Sequence, residues 1–197
     1  MITTLIAMAM FSMARQTPNL HLTCPVTGDD ASTPIAVFNY KGAAYSMCCP
    51  MCPGPFSKTP EKFLTPDKVK DKTVGVGYFD PVSDITVHPD KDSVGPSVYQ
   101  GVAYFFQNAD DKKAFDADPK KYTDVPAKEA LYCPVMQQDV PDLAHSGGYA
   151  DVNGVRYYIC CSQCAAELKA NPSKYLDAKA ATYVHDVVAV QAKSKGK

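Results

Sequence analysis

Cysteine is the residue type whose spacing here could do chemistry. Three lie within the run Cys48-Cys49-Pro50-Met51-Cys52 and three within Cys160-Cys161-Ser162-Gln163-Cys164. A further cysteine precedes each cluster in the same context, Cys24-Pro25-Val26 and Cys133-Pro134-Val135, so all eight cysteines fall into two sets of four. Scattered core thiols do not double in this way. Soft thiolates select zinc, copper(I), cadmium, mercury or an iron–sulfur cluster over calcium or magnesium, and closure of zinc by four thiolates is a common structural arrangement. The candidate ligands are Cys24, Cys48, Cys49 and Cys52 for one ion, and Cys133, Cys160, Cys161 and Cys164 for a second. Adjacent residues of an extended chain point in different directions, so neither Cys48-Cys49 nor Cys160-Cys161 need send both sulfurs to one ion. Three ligands and a bystander is the competing arrangement.

Other uses of these residues compete with metal. Eight cysteines allow 105 disulfide pairings, although bridging Cys48 to Cys49 or Cys160 to Cys161 would close a strained ring. Met47 and Met51 are soft donors, but Ile159 and Gln163 take their places in the second cluster, so core packing is the expected role of Met47. His21, three residues before Cys24, is read as solvated rather than as a ligand, and His145 as a loop residue. Cys52 and Cys164 are expected near helix N-termini, where the helix dipole favours thiolate. The close pairs are read as Cys-x-x-x-Cys and Cys-Cys-x-x-Cys, not as a Cys-x-x-Cys redox pair.

The elements that must position these sulfurs recur along the chain. Residues 34–40 read as a strand, Lys41-Gly42 as a hairpin turn and residues 43–47 as the returning strand, with a short helical piece in residues 56–63 broken at Pro60. The later cluster follows strand 149–152, the turn Asn153-Gly154 and strand 155–159, and precedes a helix over 164–170. The stretch between them keeps the frame without cysteine. Asp80-Pro81-Val82 stands for the opening, residues 99–106 for the hairpin and 111–122 for the helix. The turn glycine and a later proline are 18 residues apart each time: Gly42 and Pro60, Gly101 and Pro119, Gly154 and Pro172. Three units, 18–70, 71–127 and 128–182, are therefore expected. The fold class is α+β, built of three small tandem units, each a β-hairpin and a short helix. The middle unit carries Asp80, Gln107, Asn108 and Asp111 at the cysteine positions and is read as metal-free and structural, with Asn108 or Asp110 capping its helix.

The Cys-Pro-Val opening, the Gly-x-x-Tyr hairpin, the pairs Cys48/Cys52 and Cys160/Cys164 and the closing Asn-Pro-x-x-Tyr resemble the YHS domain and its relative the TRASH domain. The resemblance implies treble-clef-like modules that bind metal beside metal transporters and sensors. It implies Cys24, Cys48 and Cys52 as ligands of the first unit and Cys133, Cys160 and Cys164 of the third. Cys49 and Cys161 are additional to that pattern.

Lys+Arg 20 against Asp+Glu 21 gives no electrostatic reason for a nucleic-acid partner. Residues 1–14 are apolar, too short to span a bilayer as a helix, and Ser12-Met13-Ala14 has the small-x-small form of a signal-peptidase site. Residues 1–17 are thus read as a signal peptide and the protein as periplasmic or secreted, with residues 183–197 a basic flexible tail. No nucleophile elbow, phosphate-binding loop or His-Glu-x-x-His occurs. The expected function is non-enzymatic binding of zinc or copper(I), about one ion per cluster, for sequestration, buffering or transfer. The expected partners are the ion and a metal transporter or other metal-handling protein. A zinc-stabilised interaction scaffold and a thiol-disulfide redox protein are the alternatives.

Overall fold

A computed structural model describes residues 20–89 and 93–186. The signal-peptide reading and residues 187–197 of the tail lie outside them. The first hairpin is β1 (Ala36–Tyr40) and β2 (Ala43–Met47), followed by α1 (Pro53–Lys58), a 3₁₀ turn at Pro60–Lys62 and α2 (Pro66–Val69). Next come β3 (Gly75–Gly77), the hairpin β4 (Val94–Tyr99) and β5 (Val102–Phe106), α3 (Ala109–Ala117) and α4 (Pro119–Tyr122). The remainder is β6 (Lys128–Ala130), β7 (Tyr132–Cys133), β8 (Gln138–Asp139), β9 (Gly148–Val152), β10 (Val155–Ile159), α5 (Ser162–Ala170), α6 (Pro172–Tyr175), α7 (Ala178–Ala181) and β11 (His185–Asp186). The mixture of short helices with small sheets is an α+β fold.

The three hairpin turns share one geometry. Lys41-Gly42, Gln100-Gly101 and Asn153-Gly154 all have positive φ at both residues, 48° and 74°, 49° and 77°, 52° and 76°. This is the two-residue turn whose twist matches that of paired strands, and it needs glycine or a tolerant residue. The openings also coincide. Gly28, Asp84 and Gln137, each four residues after Cys24, Asp80 or Cys133, have φ of 83°, 62° and 55°. The Gly28 and Asp84 amides donate to the Cys24 and Asp80 carbonyls, both at 2.9 Å.

Each helix buries one side chain four residues before its proline. Phe56 lies 5.4 Å from Phe38 and 5.3 Å from Tyr45 between ring centroids. Phe115 lies 5.1 Å from Tyr104 and 5.3 Å from Phe106. Leu168 is fully buried with Tyr157 and Ala150. Burying one such side chain stabilises by about 1.5–3 kcal/mol, so a unit this small leans on it heavily. The first helix begins at Pro53, earlier than expected, because proline suits a first helical turn. The second breaks at Asp118, where the following proline disfavours the helical backbone. Asn108, not Asp110, caps α3 by accepting the Asp111 amide at 2.8 Å.

The sheets run across the expected unit boundaries. Strand β3 pairs antiparallel with β2 and parallel with β5, giving the order β1-β2-β3-β5-β4. Its glycines permit this, since a Cβ on Gly75 or Gly77 would lie 3.0 Å from the ring of Tyr45 or Tyr104. Strand β6 takes the same place beside β10, parallel to it, in the sheet β11-β6-β10-β9. Phe79 then packs between the sheets' halves, 5.3 Å from Tyr149 and 5.7 Å from Tyr158. Beside it Arg156 is buried, held by Asp151 at 2.8 and 2.7 Å, with its guanidinium 3.7 Å above the Tyr149 ring.

Two buried carboxylates have opposite circumstances. Asp80 is fully buried, but Oδ1 accepts the amides of Val82 at 2.9 Å and Ser83 at 3.4 Å while Oδ2 accepts that of Gln107 at 2.8 Å. Asp80→Ala would strand these donors, and a loss of about 2 kcal/mol or more is expected in denaturant unfolding. Glu129 is also fully buried, and only Oε2 is bonded, accepting the Tyr158 hydroxyl at 2.7 Å. Burial pushes its carboxyl from the ordinary 4.5 up to about 7, against the lowering effects of Tyr158 and Arg156. The folded state therefore holds this proton more tightly than the unfolded chain. Its stabilising effect is full below about pH 4.5 and is lost as pH rises to about 7. Glu129→Gln should flatten the fall in melting temperature between pH 5 and 7.5, measured against the wild type in the same buffers.

Candidate metal centres

The polypeptide ends β2 and β10 at buried anchors, Met47 and Ile159, both with no exposed surface. The next residue is the first cysteine of each cluster. Met47 is thus a core residue, as expected. From there the chain turns into a helix, with the Cys52 amide donating to the Cys49 carbonyl at 3.3 Å and the Cys164 amide to the Cys161 carbonyl at 3.1 Å. The opening turn of each unit supplies the remaining cysteine from the opposite side.

The sulfurs of Cys24, Cys48 and Cys52 all lie within 4.8 Å of one another, as do those of Cys133, Cys160 and Cys164. Cys48 and Cys52 are 3.9 Å apart, Cys160 and Cys164 3.9 Å, and Cys133 and Cys160 3.4 Å. Three thiolates about 2.3 Å from one ion would sit about 3.8–4.0 Å apart, so each trio has the size for a thiophilic ion. Among the described residues these two trios are the groups of potential metal ligands that the fold brings together. Each trio could hold a metal ion. In both, the opening and final cysteines are buried and the middle one is half-buried. All eight cysteines are free thiols.

Cys49 and Cys161 lie outside these mutually close sets. Each instead approaches the last cysteine of its trio, Cys49 Sγ lying 2.8 Å from Cys52 Sγ and Cys161 Sγ 2.9 Å from Cys164 Sγ. These are i, i+3 pairs, each a Cys-x-x-Cys. That corrects the reading of the sequence that found no such pair. The doubled cysteines nest this spacing inside a Cys-Cys-x-x-Cys run, one residue within the Cys-x-x-x-Cys frame.

The thiols differ in acidity. Burial raises Cys24, but the backbone amides of Cys48, Thr27 and Val26 and the Thr27 hydroxyl outweigh it and bring the thiol to about 7. Burial, reinforced by the neighbouring sulfurs, pushes Cys52 and Cys164 well above the ordinary thiol range. Burial and Cys133 raise Cys160 to about 11. Cys49 and Cys161 are lowered, chiefly by hydrogen bonds from Cys52 and Cys164. The expected helix-dipole effect on Cys52 and Cys164 is thus overridden. Cys52 caps a helix of only six residues, and burial there dominates. A metal would have to displace these protons, so binding releases them and strengthens with pH.

Three neighbouring residues escaped the sequence. Thr27 Oγ1 lies 3.2 Å from Cys48 Sγ, while the corresponding Met136 is 59% exposed. Ser146 Oγ donates to the Ile159 carbonyl at 3.0 Å, and the Gly147 amide to the same carbonyl at 2.7 Å. A Cβ on Gly147 would meet the Cys161 Cα at 2.5 Å. The Ser146-Gly147-Gly148 run was the signal available, since consecutive glycines in a loop can mark close backbone approach. The histidines stay apart from the sulfurs. His21 sits 3.4 Å from Ser32 and His145 2.7 Å from Asp142, both largely exposed. In the middle stretch Asp80 occupies the opening position and Asn108 Nδ2 donates to Asp111 at 3.0 Å. Burial, then Asp80, raises the Asp111 carboxyl.

No helix among the described residues is long and apolar enough to cross a membrane. Compared with protein-family models, curated proteins and solved structures, the chain matches none. Gly147→Ala must push the Cys160-Cys161 backbone outward. For an ion held at the Cys133 trio, binding should weaken by about tenfold or more, and for one held at the Cys24 trio it should be unchanged, as read by competition with a chromophoric chelator.

Proposed function

We propose that the protein binds a thiophilic metal ion, zinc or copper(I), at each of two sulfur trios, Cys24/Cys48/Cys52 and Cys133/Cys160/Cys164. In this reading it sequesters, buffers or passes on the ion and turns over no substrate. The observation that carries the proposal is the recurrence of one sulfur arrangement, with the same 3.9 Å separation of Cys48 from Cys52 and of Cys160 from Cys164 and the same burial order, at two separate places in the fold. Three sulfurs with one half-buried member leave an approach for ligand exchange, which suits transfer better than permanent closure. The YHS/TRASH resemblance supports the same reading and adds a metal transporter or other metal-handling protein as the partner. Export to the periplasm or outside the cell rests on the N-terminal apolar stretch.

A structural scaffold is the second reading, favoured by Asp80. At the position of Cys24 and Cys133 its carboxylate ties the opening turn to the hairpin end by hydrogen bonds alone. A metal in the other two places would make the same tie. The measurement is metal content by mass spectrometry on protein purified reduced and without added metal, with free thiols counted before and after chelation. About two ions per chain, and thiols that react only after chelation, is the expected result. Absence of metal, with no uptake of zinc or copper(I) by the reduced chain, would remove both readings. Unfolding on chelation would select the scaffold over transfer.

A further inference from the structure

Each sulfur cluster holds one atom in two relationships. Cys52 Sγ belongs to the first trio, 3.9 Å from Cys48 Sγ, and is also 2.8 Å from Cys49 Sγ. Cys164 Sγ stands likewise, 3.9 Å from Cys160 Sγ and 2.9 Å from Cys161 Sγ. A disulfide bond needs the sulfurs at about 2.05 Å, a closure of less than about 1 Å from either pair. A sulfur in a disulfide carries no thiolate charge and cannot serve as a metal ligand. Ligation by Cys52 and its bonding to Cys49 therefore exclude each other.

We propose that Cys49/Cys52 and Cys161/Cys164 are thiol-disulfide exchange sites for a low-molecular-weight disulfide, and that closing each one ejects the ion from its trio. The ejection rests on the proposed metal-binding function; the exchange reaction does not. Access sets the order of events. Cys49 and Cys161 are half-buried, whereas Cys52 and Cys164 are each 3% exposed. The outer sulfur meets the reagent first, and its neighbour Met51, 82% exposed, leaves the first site uncovered.

The Cys49 thiolate attacks one sulfur of R–S–S–R, whose bond breaks and whose electron pair leaves with RS⁻. This forms a mixed disulfide on Cys49. Cys52 then leaves the ion, attacks the Cys49 sulfur and expels the second RS⁻. Two cysteine sulfurs have lost two electrons and one R–S–S–R has become two RSH, with protons taken from Cys49 and from solvent. The ion keeps its charge and is left with only two sulfurs. Glutathione, in its reduced form, reverses the sequence.

The test uses the full reduced chain, with and without two equivalents of zinc, exposed to oxidised glutathione. Disulfides are mapped by fragmentation mass spectrometry and released zinc is followed with a chromophoric chelator. The metal-free chain should give Cys49–Cys52 and Cys161–Cys164 as its first disulfides, and the loaded chain should lose one zinc per disulfide formed. Cys49→Ser and Cys161→Ser should retain the zinc stoichiometry and slow release by about tenfold or more. First disulfides joining other cysteines, persistent glutathione adducts that never close, or release from the variants at the wild-type rate would each overturn the proposal. So would loss of zinc from the reduced variants, which would make Cys49 and Cys161 ligands. If the wild-type chain takes up no thiophilic ion, the metal reading and the ejection fall together, and the map of the metal-free chain still decides the exchange reaction.

Discussion

A short tie between the opening turn and the far end of the hairpin is the constraint on which each part of this structure depends. Each hairpin is short, and the helix behind it packs onto it through an apolar anchor, Phe56, Phe115 or Leu168. Something must hold the opening turn against the point where strand becomes helix. In the middle stretch a buried carboxylate does it, with three backbone amides converging on Asp80. In the other two places three sulfurs converge on the same point. Without an ion, protonated thiols are weak donors and acceptors and make a poor substitute for a carboxylate. An ion at the trio is therefore as much a question of local folding as of function.

The middle stretch shows what becomes of such a motif when the tie is made by hydrogen bonds. Phe105 and Phe106 are fully buried, and Asn108 caps a nine-residue helix. In the first cluster the helix has six residues and no side-chain cap. The cysteine positions thus carry work that capping and core packing perform elsewhere in the chain. Strands β3 and β6 give the other support, each sliding beside a second hairpin strand. Through β3, Phe79 and the buried Arg156 side chain, both of which lie beside Gly42, the three stretches share one body.

Doubling of the cysteines adds a different property. Each trio needs three sulfurs, and the fourth stands against the one member that the helix start buries. A sulfur so placed can support an ion only by moving, but it can react with its neighbour almost where it stands. On the proposed functions, metal and redox chemistry would compete for one atom, Cys52 or Cys164, instead of occupying separate sites.

Much of this was legible in sequence. The spacing of Gly42, Gly101 and Gly154 from their prolines located the hairpins, and the turns follow because two residues of positive φ admit few side chains. Strands 43–47 and 155–159 and the pairs Cys48/Cys52 and Cys160/Cys164 are likewise local in origin, set by residues a few positions apart, whereas Cys24 and Cys133 join them from 24 and 27 residues away. Whether Cys49 and Cys161 ligate was open in sequence as one of two arrangements, since adjacent side chains diverge. Tertiary structure alone decided which neighbour Cys49 and Cys161 each meet, because that depends on where the helix start lies relative to the strand end. It also decided the merging of the first two hairpins into one sheet, which rests on Gly75 and Gly77 leaving room for Tyr45 and Tyr104. The acidity of Cys52 and Cys164 was misjudged from sequence for the same reason. A helix start is visible in the order of residues, but burial is a property of everything packed around it.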